Sequence, residues 1–166
     1  RHITTFVFDV DGVLTDGNIY VFDNGDQVRR MSIRDGFSLQ LAIKKGYRVL
    51  VISGANSPAV VSRLTKLGIT DILMNIHDKR SVLQQYMNDH NITKEKILFM
   101  GDDIPDYVAM NVAGLPCAPS DAAPEIKKAA SYISSKPGGK GCVREVIEKV
   151  LKLNGHWELE TDIASR

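Results

Sequence analysis

The sequence predicts an α/β fold: a doubly wound parallel sheet, Rossmann-like, with helices on both faces and a projecting β-hairpin. Three observations predict it. Short apolar, largely β-branched runs recur at Phe6-Val7-Phe8, 48–52, 72–74, 97–100 and 115–118. Runs of that kind suit strands buried on both faces. Segments of helical periodicity separate them through short connections, the alternation of a parallel sheet. Between two further strand-like runs lies Asn24-Gly25, a strong hairpin signal.

In chain order, Phe6-Val7-Phe8 form a strand ending at Asp9-Val10-Asp11-Gly12, and Asp16-Gly17 mark a further turn. Residues 19–22 and 27–33 read as the hairpin, closed by Arg34-Asp35-Gly36. Phe37, Leu39, Leu41, Ala42 and Ile43 then give a helix with an apolar face, which Gly46 stops. The strand at 48–52 ends at Ser53-Gly54. Ser57 caps the next helix with Pro58 at its first position, and Gly68 ends it. A short strand at 72–74 leads to a helix opened by Asp78-Lys79. The strand at 97–100 ends at Gly101-Asp102-Asp103. A helix from 105 to about 113, a weak strand at 115–118, a helix over 122–130 and an edge strand at Tyr132-Ile133 follow. Residues 137–141 form a flexible Gly-rich loop, and a helix over 143–153 closes the chain. The polar tail after Gly155 reads as mobile apart from Trp157.

At 166 residues, 43% hydrophobic and 25% charged, this is one domain, residues 1–166, able to bury a proper core. Lys+Arg 21 against Asp+Glu 20 leaves a formal charge of +1, no field to recruit nucleic acid or an anionic membrane surface. No apolar run approaches a spanning length. The opening residues do not read as a secretory signal, and Cys117 and Cys142 are not spaced as a metal site or redox pair. Cytoplasm is therefore the expected compartment.

The polar residues fall in a pattern. Asp9 and Asp11 follow the first strand, Ser53 the second, and Asp102-Asp103 the fourth, while Lys79 opens the helix after the third. Such folds bind ligands at the carboxyl ends of their strands. Each residue has a plainer reading: the acids as turn formers, Ser53 as a turn cap, Lys79 as a solvated helix residue. All of them standing at strand ends favours a site. Paired acids after a buried strand need a partner, and oxygen ligands suit Mg²⁺. The chemistry that uses this set is phosphoryl transfer. Asp9 is the natural nucleophile and Asp11 the acid for the leaving oxygen and the base for water. Ser53 and Lys79 donate to the phosphoryl oxygens, and Asp102 completes the metal site.

At Asp9-Val10-Asp11-Gly12-Val13, Ser53, Lys79 and Gly101-Asp102-Asp103 with Asp106, the chain resembles the haloacid dehalogenase superfamily of phosphatases. The resemblance covers nearly all of it. It implies Mg²⁺ held by Asp9, Asp102 and the main chain around Val10 and Asp11, the last being a position at which Asp11 itself counts as a metal residue. Only 41 residues separate Asp11 from Ser53, and 25 separate Ser53 from Lys79. That leaves no room for a cap domain. The hairpin, Ile33-Arg34-Asp35-Gly36, Ser57-Pro58 and Gly138-Gly139-Lys140-Gly141 are similar to a capless branch that hydrolyses sugar acid phosphates in lipopolysaccharide biosynthesis. This implies a homotetramer with sites shared between subunits, its hairpins packed around the symmetry axis, and the Gly-rich loop or tail reaching a neighbour. It also implies that Ser32, Ile33, Arg34, Asp35 and Gly36 line the substrate site, with Arg63 and Lys140 as further donors to the sugar carboxylate. The loop also reads as a plain turn, and Arg63 as an exposed helix residue. Relatives often carry Arg after the Ser-Gly pair, where Ala55 stands here. Other readings are a phosphatase for a nine-carbon sugar acid 9-phosphate, a non-catalytic oligomerisation module, and a phospho-receiver domain. The module has no need of the acids, and the receiver has no need of Asp11 or the hairpin.

Overall fold

A computed structural model describes residues 2–166. Six parallel strands form the sheet. The first, β1 (Thr5–Phe8), is followed by a hairpin of β2 (Tyr20–Val21) and β3 (Gln27–Val28). Next come α1 (Ile33–Lys44), β4 (Arg48–Ile52), α2 (Pro58–Lys66), β5 (Asp71–Leu73) and α3 (Lys79–His90). The second half runs β6 (Ile97–Met100), α4 (Tyr107–Met110), β7 (Leu115–Ala118), α5 (Pro124–Ala129), β8 (Tyr132–Ile133) and α6 (Cys142–Leu153). The sheet order is β5-β4-β1-β6-β7-β8. The topological switch falls at β1, the central strand, so the loop after β1 faces those after β4 and β6.

Alternate residues of each strand enter opposite layers. Phe6, Phe8, Val49 and Val51 pack with Leu39, Leu64 and Ile147 of α1, α2 and α6. Val7, Leu50, Ile52 and Phe99 pack with Leu83, Met110 and Ile126 of α3, α4 and α5. Both faces of the sheet are covered, and the described residues form no separate cap domain, as the sequence predicts. No described helix is long and apolar enough to cross a membrane.

The hairpin, two helices and the tail differ from the expectation by more than one residue. The hairpin is shorter than 19–22 and 27–33, because Ser32 starts a helix: its Oγ accepts the Asp35 N–H at 3.2 Å, a helix N-cap. Ile33, expected to end the second hairpin strand, and Arg34-Asp35-Gly36, expected to close the hairpin, thus form the first turn of α1. The helix expected over 105–113 breaks into a tight turn (Ile104–Asp106) and the single turn of α4. The chain leaves it early because Gly114 N–H reaches the Lys94 carbonyl at 2.8 Å. The helix expected over 122–130 shortens to α5, its entry fixed by Ala123 N–H on the Asp102 carbonyl at 2.8 Å. The tail folds back on α1: Trp157 meets Phe37 edge-on and Ile163 packs against the core. Lys44 pairs with Glu160 and Lys45 with Glu158.

Candidate active site

Asp9 extends β1 by one residue, its N–H donating to the Met100 carbonyl at 3.2 Å. The chain then turns sharply. Gly12 adopts φ +84°, and a Cβ there would lie 1.8 Å from Asp102 Oδ2. Glycine is needed on both counts, for the left-handed backbone and for the close approach of the β6 loop. Thr15 closes the turn: its N–H donates to the Val10 carbonyl, and its Oγ1 accepts from Gly12 and Gly17 N–H.

Three carboxylates, of Asp9, Asp102 and Asp106, meet within 4.8 Å of one another. Lys79 Nζ, buried at the start of α3, lies 3.1 Å from Asp9 Oδ1 and 2.7 Å from Asp106 Oδ1. Asp106 Oδ2 accepts the Asp102 N–H at 3.0 Å. Both Asp106 oxygens are thereby engaged, and its work is to hold Lys79 and the Asp102 backbone in place. Asp9 and Asp102 remain to face a ligand. Burial pushes the Asp9 carboxyl well above its ordinary value, the Asp106 charge adds to this, and Lys79 opposes it. Burial, followed by the Asp106 charge, also raises Asp102, to about 7. For Lys79, burial disfavours the ammonium, but Asp9 and Asp106 outweigh it and the pKa is raised. A divalent cation between Asp9 and Asp102 would relieve the crowding of negative charge. The donors are hard oxygens, which fit Mg²⁺.

Ser53 is buried at the end of β4, its Oγ accepting the Ala55 N–H at 3.1 Å. Asp9, Asp11, Ser53, Lys79 and Asp102 all line one open cleft of about 440 Å³, room for a phosphoryl group and part of what carries it. Asp11 stands apart from the carboxylate cluster. Its two oxygens face Arg29, which donates from Nε at 2.7 Å and from Nη2 at 3.3 Å. The Asp11 side chain is therefore not among the clustered ligands, which leaves its main chain for a metal.

The residues expected to bind substrate lie elsewhere in the chain. Ser32, Arg34 and Lys140 line a separate basic depression with Lys136 and Arg144. Arg63 borders a third hollow with Arg29 and Met31. Its Nη2 reaches the Ser32 and Arg166 carbonyls. Ile33 is exposed, whereas Asp35 and Gly36 are buried. Asp35 Oδ1 accepts the Arg144 N–H at 3.0 Å, capping α6 from below. The Gly-rich loop packs on its own chain: Gly139 N–H donates to the Val13 carbonyl at 3.0 Å. Arg29 and Asp106 are the polar partners that sequence reasoning left without a role. Asp106 carried a signal in its spacing from Asp102; Arg29 carried none.

A buried carboxylate at the end of the central strand, a buried Lys beside it and a second acid across the switch point are the arrangement of a phosphoric monoester hydrolase. Consistent with this, residues 59–146 match the model of the haloacid dehalogenase-like hydrolases, and the chain belongs to that family. It is 33% identical over 155 residues, 93% of this chain and 82% of the relative, to 3-deoxy-D-manno-octulosonate 8-phosphate phosphatase KdsC of Escherichia coli K12. The solved 3-deoxy-D-manno-octulosonate 8-phosphate phosphatase of Yersinia pestis superposes with a TM-score of 0.91 at 30% identity, covering 93% of this chain and 84% of that one. The enzyme from Moraxella catarrhalis, solved with magnesium, phosphate and KDO, gives 0.88 at 34% identity, covering 92% and 87%.

Proposed function

We propose that this chain is a Mg²⁺-dependent phosphatase that hydrolyses 3-deoxy-D-manno-octulosonate 8-phosphate to the free sugar acid and phosphate. The observation that carries it is Asp9 at the end of β1, held by Lys79 and facing Asp102 in an open cleft. Relatives that act on this phosphate ester cover nearly the whole chain. Asp9, Asp102 and the main chain near Asp11 would hold magnesium, which would supply positive charge to the phosphoryl oxygens.

Asp9 attacks phosphorus. The new Asp9 Oδ–P bond forms as the P–O bond to the sugar breaks, and the electron pair stays on the sugar oxygen, which takes a proton from Asp11. In the second step Asp11 accepts a proton from water, whose oxygen attacks the aspartyl phosphate and returns Asp9 as carboxylate with release of phosphate. Lys79 and the Ser53 hydroxyl complement the charge spread over the phosphoryl oxygens. Asp106 keeps Lys79 between the two acids. All these residues are present and ordered around one cleft, an arrangement a non-catalytic module has no use for.

The same reading includes a homotetramer with sites shared between subunits. Two features support it: the apolar hairpin is exposed, and Arg34, Arg63 and Lys140 stand away from the acidic cleft of their own chain. A neighbour's copies are then the candidates to meet the sugar acid. Buried, unpaired Cys117 and Cys142 suit a reducing cytoplasm.

The test compares kcat/KM for the eight-carbon 8-phosphate with that for a nine-carbon sugar acid 9-phosphate, with and without chelator. The eight-carbon ester is expected to be preferred, and both chelation and Asp9→Asn to abolish turnover. Preference for the nine-carbon ester would shift the substrate, a shift that Ala55 in place of Arg would help to explain. Full activity in Asp9→Asn would overturn the nucleophile.

A further inference from the structure

We propose that Arg29 is a positioning residue for the reaction: carried by the hairpin, it fixes the orientation of the Asp11 carboxyl toward the leaving oxygen. The inference rests on the phosphatase reading above and deepens it. Arg29 follows β3 directly, on a hairpin whose other large side chains are exposed, yet its own side chain is only 8% exposed. It is turned inward to the catalytic turn. Nε meets Asp11 Oδ1 at 2.7 Å and Nη2 faces Oδ2 at 3.3 Å, a fork against a fork. That geometry fixes the carboxyl plane as well as its position.

Asp11 has little else to hold it. Its side chain is 40% exposed, and its other side-chain partner, Thr15 Oγ1, stands at 3.5 Å, long for a hydroxyl–carboxylate bond. Asp9 and Asp106 are fixed by a buried Lys and by backbone N–H groups; Asp11 depends on Arg29. A proton donor misaligned by a fraction of an ångström or one rotamer loses much of its effect. Arg29 also makes the hairpin's ion pair with the turn that carries the nucleophile, so the aim of Asp11 follows the placing of the hairpin.

A plainer role for Arg29 is to staple the hairpin. The two roles separate by leaving group. A sugar alkoxide needs a proton as it departs, whereas p-nitrophenolate needs little help. Steady-state hydrolysis of the sugar acid phosphate and of p-nitrophenyl phosphate, with Mg²⁺, is measured for the unaltered chain, Arg29→Gln, Arg29→Lys, Asp11→Asn and the double variant Arg29→Gln/Asp11→Asn. The expected result is that Arg29→Gln lowers the ratio of sugar-ester to aryl-ester kcat/KM, which reads formation of the aspartyl phosphate and not the hydrolysis common to both esters, by about tenfold or more. Arg29→Lys should recover part of that loss. In the Asp11→Asn background, Arg29→Gln should leave the ratio within about twofold, since coupled residues do not add. Parallel loss of kcat/KM on both esters, or a higher sugar-ester kcat/KM in Arg29→Gln, overturns the proposal. A chain that hydrolyses neither ester before any substitution instead removes the phosphatase reading, and this proposal with it.

Discussion

Asp35 sits beneath the start of α6, where burial pushes its carboxyl up to about 6, against the pull of the Arg144 and Gly141 N–H groups. One oxygen caps the helix; Oδ2 has no hydrogen-bond partner among the described residues. A carboxyl whose folded pKa lies above its ordinary 3.8 is protonated more readily in the folded state. Its ionisation therefore opposes folding above about 6, and this opposition fades as pH falls, vanishing below the unfolded value. Asn at this position keeps the cap acceptor and loses the titration. Denaturant unfolding with Mg²⁺ present should show the unaltered chain gaining on the order of 2 kcal/mol relative to Asp35→Asn between about pH 7 and pH 4. Identical pH profiles would refute the assignment. At this scale the convergence of Asp9, Asp11, Ser53, Lys79 and Asp102 on one cleft was legible, because each stands at or shortly after a strand end. The cap made by Asp35 was not: the resemblance places this residue in the substrate site, and only the α1–α6 packing turns it under the start of α6. The Arg29–Asp11 pair was equally hidden, since it depends on how a hairpin folds back across 18 positions.

Among the elements, the Gly-rich loop before α6 is held by the turn it supports. A Cβ on Gly138 would stand 2.0 Å from the Gly12 carbonyl oxygen, and one on Gly139 2.5 Å from Asp16 N. Backbone thus packs directly on backbone behind Asp11. Gly138→Ala must displace the catalytic turn to fit, at about 1–3 kcal/mol. A drop of about tenfold in kcat with a smaller change in KM is expected, read in steady-state kinetics alongside the thermal midpoint. Unchanged kinetics would mean that the turn absorbs the shift. The sequence offered two readings of this loop, plain turn or reach toward a neighbour, and had no means of showing a close approach to residues more than a hundred positions earlier. Strand positions were read well because buried parallel strands are apolar throughout. Helix starts and stops were read less well where a single hydrogen bond, such as Gly114 to Lys94, decides them.

Over the whole molecule, the hairpin is the surface that one chain leaves unfinished. Tyr20, Val21 and Phe22 are 64%, 68% and 53% exposed, and Ile19 and Val28 extend the patch. Contiguous apolar exposure of this kind marks an interaction surface. Introducing charge there, as in Val21→Glu with Phe22→Ser, should move the mass seen by light scattering from tetramer to monomer. Hydrolysis of the sugar acid phosphate should fall at least tenfold, while the far-UV circular dichroism is kept. A fully active monomer would contradict shared sites. The hairpin also carries Arg29, so the strands that would meet a neighbour lie in line with the group that aims Asp11. Such an enzyme is its own cofactor by mass action: below the dissociation constant of its assembly, specific activity should fall with dilution, and the cell's stock of the protein would set its efficiency as well as its amount.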